Sequence, residues 1–179
     1  MSEDAALWWA RARAEGPLRV PTATRTPAGM LRLVERGGEW CWLMPRPPDD
    51  VTPSVLRELH LRTLPVEHPN ETGRVLTAAL RCCWADVQAA VWPGQQALVS
   101  EVLDVVDQLM PGRGPEALQR LGTGALRRLH ASRWLVVDND AGRVCLGPRV
   151  AAWPEADLTA LRELCRELPP PRPGQGNDE

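Results

Sequence analysis

The chain has 179 residues, of which 44% are hydrophobic, and its formal net charge at pH 7 is −2. This length and apolar content allow a packed core in one domain or in two small ones. No run of about 20 apolar residues is present, which excludes a transmembrane helix, and the acidic start Met1-Ser2-Glu3-Asp4 lacks the layout of a signal peptide. A cytoplasmic protein that does not bind membranes is therefore expected.

The choice of residue types is unusual, because all 21 basic residues are arginine and tryptophan, with eight residues, is the only aromatic type. Lysine, isoleucine, phenylalanine and tyrosine are absent, which is explained by the codon usage of a very GC-rich genome, such as that of a GC-rich bacterium. The abundance of arginine therefore reflects coding bias before it indicates any preference for bidentate recognition.

The N-terminal region, residues 1–69, is predicted to combine a helix with a β-hairpin. A short helix covers residues 5–14 and ends before Gly16-Pro17. One short strand is expected within residues 18–29. The sequence Gly37-Gly38 is typical of a two-residue hairpin turn, and it would bring Leu31 and Leu33 opposite Met44 and Trp42.

A helical region, residues 70–168, is predicted to follow. Asn70 is the expected N-cap of a helix that runs to about Val91. Its apolar residues recur at intervals of three and four, as expected for a helix that packs against a core: Leu76, Leu80, Cys83, Trp84, Val87 and Val91. Pro93-Gly94 ends this helix, and a second helix is expected to extend to Met110.

Residues 111–150 form a basic segment within an acidic chain. They contain seven arginines against three acidic residues, which gives a net charge of +4. A basic patch is what the phosphate backbone of a nucleic acid attracts. The alternative is an ordinary solvated surface, and the sequence leaves both interpretations open.

The same segment predicts two short helices and a hairpin. Gly114-Pro115 begins a helix over residues 116–121, Gly122-Thr123-Gly124 forms a tight turn, and another helix covers residues 125–132. Residues 134–137 and 144–146 are expected to be strands joined by a turn at 139–142. The predicted fold class is therefore α+β and mostly helical.

Three helices with a tight turn between the second and the third, followed by a β-hairpin, resemble the winged helix-turn-helix superfamily over residues 95–153. The stretch from Leu126 to Val136 is similar to the end of the third helix and the start of the wing. The resemblance implies that the third helix enters the major groove of duplex DNA, and that the protein is a DNA-binding or DNA-associated protein, for example a transcriptional regulator. Under this hypothesis the interface consists of Thr123, Arg127, Arg128, Arg143, Arg113 and Arg120.

Each of these residues has an expected role. Thr123, Arg127 and Arg128 would face outward on the third helix, where the two arginines meet base edges or phosphates. Arg143 would reach a neighbouring phosphate from the wing. Arg113 and Arg120 would position the protein on the backbone rather than specify the sequence.

Winged helices also bind proteins, and this is the competing prediction. The stretch from Leu146 to Val150, followed by a helix from Glu155, is similar to the segment after the wing in accessory subunits of SMC complexes. That similarity implies a protein partner in a larger assembly. An N-terminal region that serves dimerisation, and hence a homodimer, is a further possibility.

Catalysis and cofactors are not expected. No Gly-rich phosphate-binding loop is present, and the three histidines, His60, His68 and His130, do not lie in a recognisable catalytic setting. The five cysteines have neither disulfide nor zinc-ligand spacing, so we expect no bound metal and predict reduced, buried thiols. The proline-rich tail, residues 169–179, is predicted to be disordered.

Overall fold

The computed structural model describes residues 3–46, 70–153 and 155–172. The fold is α+β, and the described residues contain five α-helices and two three-stranded antiparallel sheets. The chain divides into two compact units, Met1–Pro65 and Val66–Glu179. Each unit has its own sheet, and each is described by itself below.

The N-terminal unit consists of helix α1 (Glu3–Glu15) and strands β1 (Leu18–Pro21), β2 (Met30–Val34) and β3 (Trp40–Pro45), in the order β1-β3-β2. The predicted helix and hairpin are confirmed, and so is the hairpin register, because Leu31 pairs with Met44 and Leu33 with Trp42. Gly38 takes a φ of +73°, a conformation that a side chain would disfavour, and its N–H donates to the carbonyl of Glu35 at 2.9 Å.

The core of this unit lies between α1 and one face of its sheet. It contains six buried residues against which Trp8 packs: Ala12, Leu18, Val20, Met30, Cys41 and Leu43. Burial of this apolar surface is the main source of stability for so small a unit.

The C-terminal unit contains helices α2 (Glu71–Cys83), α3 (Val99–Leu109), α4 (Pro115–Ala131) and α5 (Glu155–Glu167). Its strands are β4 (Ala97–Leu98), β5 (Leu135–Asp138) and β6 (Arg143–Leu146), in the order β4-β6-β5, and a 3₁₀ helix covers Pro148–Ala152. The predicted β-hairpin is confirmed as β5 and β6, and the helix expected from Glu155 is α5.

Helix α2 begins where the sequence predicts and ends earlier. The side chain of Asn70 accepts a hydrogen bond from the N–H of Gly73 at 2.8 Å and caps the helix. The expected extension to Val91 is wrong, because the helix stops at Cys83. Two donors from Gln95, its backbone N–H and its Nε2, bind the carbonyls of Cys83 and Cys82 at 2.7 and 3.0 Å. These tertiary bonds satisfy carbonyls that would otherwise continue the helix.

Helix α4 differs most from the sequence prediction. The expected turn at Gly122-Thr123-Gly124, with separate helices on either side, is wrong, since residues 115–131 form one continuous helix. Gly122 is buried where α4 packs on α3, and a Cβ atom added there would overlap Cδ2 of Leu103. This glycine therefore allows two helices to approach closely, which is a use of glycine that resembles a turn signal in the sequence.

The start of the C-terminal tail also differs from the prediction of disorder. Residues 169–172 run along α3, where the backbone N–H of Arg172 donates to Oδ2 of Asp104 at 2.6 Å. The carbonyl of Pro170 accepts a hydrogen bond from Nε2 of Gln108 at 3.2 Å.

The two glycines of α4 provide a matched pair for testing this packing. We expect Gly122→Ala to lower the free energy of unfolding by about 1–2 kcal/mol, because overpacking costs more than the gain in helix propensity. We expect Gly124→Ala to raise it by about 0.5–1 kcal/mol, since its Cβ would meet only Nη1 of Arg128, at 3.5 Å. Urea-induced unfolding followed by circular dichroism measures both changes.

The opposite signs are the critical result. If both alanine variants were destabilised to a similar extent, the two glycines would occupy a turn, and the continuous α4 would be contradicted.

Candidate nucleic-acid interface

Helix α4 is the element on which the candidate site is built. Gly114 precedes it, Pro115 occupies its first turn, and the carboxylate of Glu116 lies near the positive end of the helix dipole. The side facing α2, α3 and the sheet consists of small and apolar residues, namely Gly122, Ala125, Leu126 and Leu129. Because these residues are buried, the polar residues between them must lie on the opposite side of the helix.

The outward side of α4 carries an exposed polar stripe made of Gln119, Arg120, Thr123 and Arg127, which we call the outer stripe. Its members are separated by one, three and four residues, so they lie on one face over more than two turns. The side chains of Arg120 and Arg127 have no hydrogen bond or ion pair with any residue in the described ranges. Their guanidinium groups are therefore available to a ligand.

Three of the six residues predicted from the sequence, Arg120, Thr123 and Arg127, lie in this stripe. Gln119 is a fourth member that the sequence analysis missed. Its signal was present, because residues 119, 123 and 127 follow helical spacing. That spacing was hidden by the turn that we expected at Gly122.

Arg128 points away from the outer stripe. Its Nε and Nη2 atoms donate to Oγ1 of Thr72 at 3.2 and 3.0 Å, so the side chain reaches the first turn of α2. Arg113 is also directed at this turn and forms an ion pair with Glu71 at 3.0 Å. The structure therefore gives these two arginines contacts within the unit itself.

Arg143 lies at the turn end of the β5–β6 hairpin, opposite Asp138 in the strand register. Its Nη1 donates to Oε1 of Gln96 at 3.1 Å. The turn beyond it is organised by Asp138, whose Oδ1 accepts the N–H groups of Asp140 and Ala141 at 3.1 and 3.0 Å. Two carboxylates, Asp138 and Asp140, and one arginine, Arg143, therefore lie together at the turn end of the hairpin.

The end of α4 is joined to β5 by a residue in an unusual conformation. Arg133 has a φ of 63°, which is more often taken by glycine, and the N–H of Trp134 donates back to the carbonyl of Leu129 at 2.9 Å. The left-handed residue between this helix and the strand is therefore an arginine.

His130 connects the last turn of α4 to β5. Its Nδ1 accepts the backbone N–H of Val137 at 3.0 Å, so this nitrogen must be unprotonated. Partial burial, together with the positive charge of Arg133, lowers the pKa of His130 below its usual value. The residue is a structural link between helix and strand.

Arg149, in the 3₁₀ helix, is a partly buried cation. Its Nε atom is inaccessible to solvent and has no acceptor among the described residues, and burial lowers the pKa of its guanidinium group. The neighbouring backbone is held close, because a Cβ atom on Gly147 would overlap the carbonyl of Arg133.

The cysteines behave as buried apolar groups. Cys41, Cys82, Cys83 and Cys165 are buried. Burial raises the pKa of Cys82 to about 12 and that of Cys165 to about 11, so their reactive thiolate forms are scarce at neutral pH. Within the described residues, no three His, Cys, Asp or Glu side chains are grouped as metal ligands.

The chain was compared with protein-family models, curated proteins and solved structures, and none of them matches it. Over the described ranges, none of the helices combines the length and the apolar character that crossing a membrane requires.

The pKa of His130 leads to a prediction about stability. Because its folded-state pKa lies below the unfolded value, the unfolded chain binds more protons, and the free energy of unfolding falls as the pH drops from about 7 through 6.5. We expect His130→Asn to reduce this fall, since asparagine does not titrate but can accept the N–H of Val137. Urea unfolding at pH 7.5 and 5.5 measures the difference between the two chains.

The other histidines and the carboxylates are the same in both chains, so their contributions to the pH dependence cancel in this comparison. An equal loss of stability in the two chains would contradict the assignment, as would an NMR titration that places the pKa of His130 at or above 6.5.

Proposed function

We propose that this chain is a non-catalytic duplex-DNA-binding protein, with a C-terminal winged helix whose three helices are α2, α3 and α4. The support is the order of elements, because three packed helices are followed directly by the hairpin of β5 and β6. In this proposal the second and third helices are α3 and α4, joined by residues 110–114. The assignment replaces the two short helices that the sequence suggested within residues 116–132.

The observation that carries the proposal is the outer stripe of α4. A helix of 17 residues is about 25 Å long, which is sufficient to lie along a major groove. Arginine, glutamine and threonine all have side chains that hydrogen bond to base edges, and arginine also binds phosphate. The stripe presents all three types on one rigid face.

The proposal assigns different roles to the arginines than the sequence did. Arg120 and Arg127 would contact the duplex directly. Arg128 and Arg113 would instead hold the first turn of α2 against α4. Binding would thus depend on few phosphate contacts, and its dependence on salt would be moderate. The logarithm of the binding constant would fall with the logarithm of the salt concentration with a slope of roughly −0.9 for each phosphate neutralised.

A second candidate function is supported by the hairpin. Asp138 and Asp140 would face the phosphate backbone unfavourably if the hairpin approached DNA as a wing. A protein partner avoids this repulsion. The chain would then be an interaction subunit of a larger assembly, such as an SMC-type complex, as the similarity after the hairpin implies.

The first candidate is tested with a double variant of the outer stripe. We expect Arg120→Ala with Arg127→Ala to weaken binding of a 30-base-pair duplex by about thirtyfold or more, because two contacts of about 1–3 kcal/mol each are lost. Fluorescence anisotropy with a labelled duplex at 50 and 200 mM NaCl measures the affinity and its salt slope.

The matched control is Arg25→Ala with Arg166→Ala, which removes the same charge from two exposed positions outside α4. We expect this control to bind like the wild type. Equal affinities of both double variants, with thermal unfolding unchanged, would rule out the outer stripe as a DNA interface. Absence of duplex binding by the wild type, with retention of a protein partner, would favour the second candidate.

A further inference from the structure

The segment that follows α5 is held by polar side chains of two other helices. The carbonyl of Leu168 accepts a hydrogen bond from Nε of Arg81 in α2 at 3.2 Å, and Pro170 binds Gln108 in α3 as described above. Arg172 ends this stretch and contacts α3 through both its backbone and its side chain. We call residues 168–172 the C-terminal strap.

Arg172 makes the most polar contacts in the strap. Its Nη1 atom lies 3.2 Å from Oδ1 of Asp104 and 3.6 Å from Oδ2 of Asp107, in addition to the backbone hydrogen bond to Asp104. The side chain of Asp104 is only 22% exposed, so its charge depends on nearby donors. Gln108 supplies another donor, because its Nε2 lies 3.1 Å from the same Oδ2 atom.

The sequence of the strap suits an exposed, extended ligand. Three consecutive prolines, Pro169 to Pro171, have restricted φ angles and no N–H group, so little conformational entropy is lost when they bind. The arginine that follows is 63% exposed. An ion pair in that setting is weakened by salt. Its contribution to the free energy is small, so the strap can detach and rebind.

We propose that the C-terminal strap is a reversible electrostatic latch, and that the surface of α3 formed by Asp104, Asp107 and Gln108 is a docking site for an extended, proline-flanked arginine segment, occupied here by the chain's own Pro169–Arg172. A partner that carries such a segment would bind where the strap now lies. The inference is independent of the proposed function, since it involves none of the outer stripe.

The latch is tested by amide hydrogen exchange in the full chain. We expect the Arg172 amide to be protected at 50 mM NaCl and to lose about three- to fivefold of its protection at 500 mM, because salt screens an exposed ion pair. The Leu168 amide, which donates to the carbonyl of Leu164 at 3.2 Å, serves as an internal reference and should not respond. An Arg172 amide that is unprotected at low salt, or whose protection ignores salt, would overturn the latch.

Two charge variants distinguish a specific contact of Arg172 from a general effect of the protein's net charge. We expect Asp107→Asn to lower the protection of the Arg172 amide about two- to threefold at low salt, as an exposed ion pair of ordinary strength would. Glu116→Gln removes an exposed carboxylate from α4 and should leave this protection unchanged. Equal effects of the two variants would contradict a specific contact.

The docking site is tested with the peptide acetyl-Pro-Pro-Pro-Arg-Pro-Gly-amide. In the Arg172→Gln chain, we expect it to shift the NMR signals of Asp104, Asp107 and Gln108 at millimolar concentration. In the wild type these signals should respond much less, because the tethered strap has a high effective concentration. A peptide that perturbs none of the three residues in Arg172→Gln would overturn the docking site.

Discussion

The close contact between α3 and α4 at Gly122 determines how the C-terminal unit presents its surface. A Cβ atom at this position would overlap Cδ2 of Leu103, so the glycine allows the two helices to approach closely without displacing that side chain. Since Gly122, Leu126 and Leu129 face inward at helical spacing, Thr123 and Arg127 must face outward. The orientation of the candidate interface is thus a consequence of one packing contact on the other side of the helix.

The adjacent arginines Arg127 and Arg128 show what the sequence could and could not predict about the site. At about 100° per residue, Arg127 lies roughly 40° around the helix from Thr123 and Arg128 roughly 140°, so only Arg127 shares the face of Thr123. Local pattern identifies both as polar helix residues. The choice between them depends on the first turn of α2, whose Thr72 binds Arg128, and this contact joins residues 56 positions apart. Helical spacing can separate the two faces once the helix is known to be continuous, but the partner of Arg128 is not encoded locally.

The difference between local preferences and contacts between distant residues also separates the correct predictions of the fold from the wrong ones. The hairpin at Gly37-Gly38, the N-cap at Asn70 and the strands after α4 follow from local conformational preferences, which are encoded in neighbouring residues. The errors at Gly122 and at the end of α2 concern residues whose partners, Leu103 and Gln95, come from other elements. The strap was missed for the same reason, because prolines that favour disorder in isolation are held here by Asp104 and Gln108.

The charge of the basic segment, residues 111–150, is partly offset by residues that lie outside it in the sequence. The net charge of +4 on residues 111–150 includes Arg113, whose counter-ion Glu71 lies on α2, outside the segment. The acidic side of α3 is offset in turn by Arg172 from the tail. Once these pairs are formed, the outward face of α4 carries the charges of Arg120 and Arg127 together with the exposed carboxylate of Glu116. Recognition by this face would therefore depend more on hydrogen bonds to specific groups than on a broad electrostatic attraction, which is the less selective mode of binding nucleic acid.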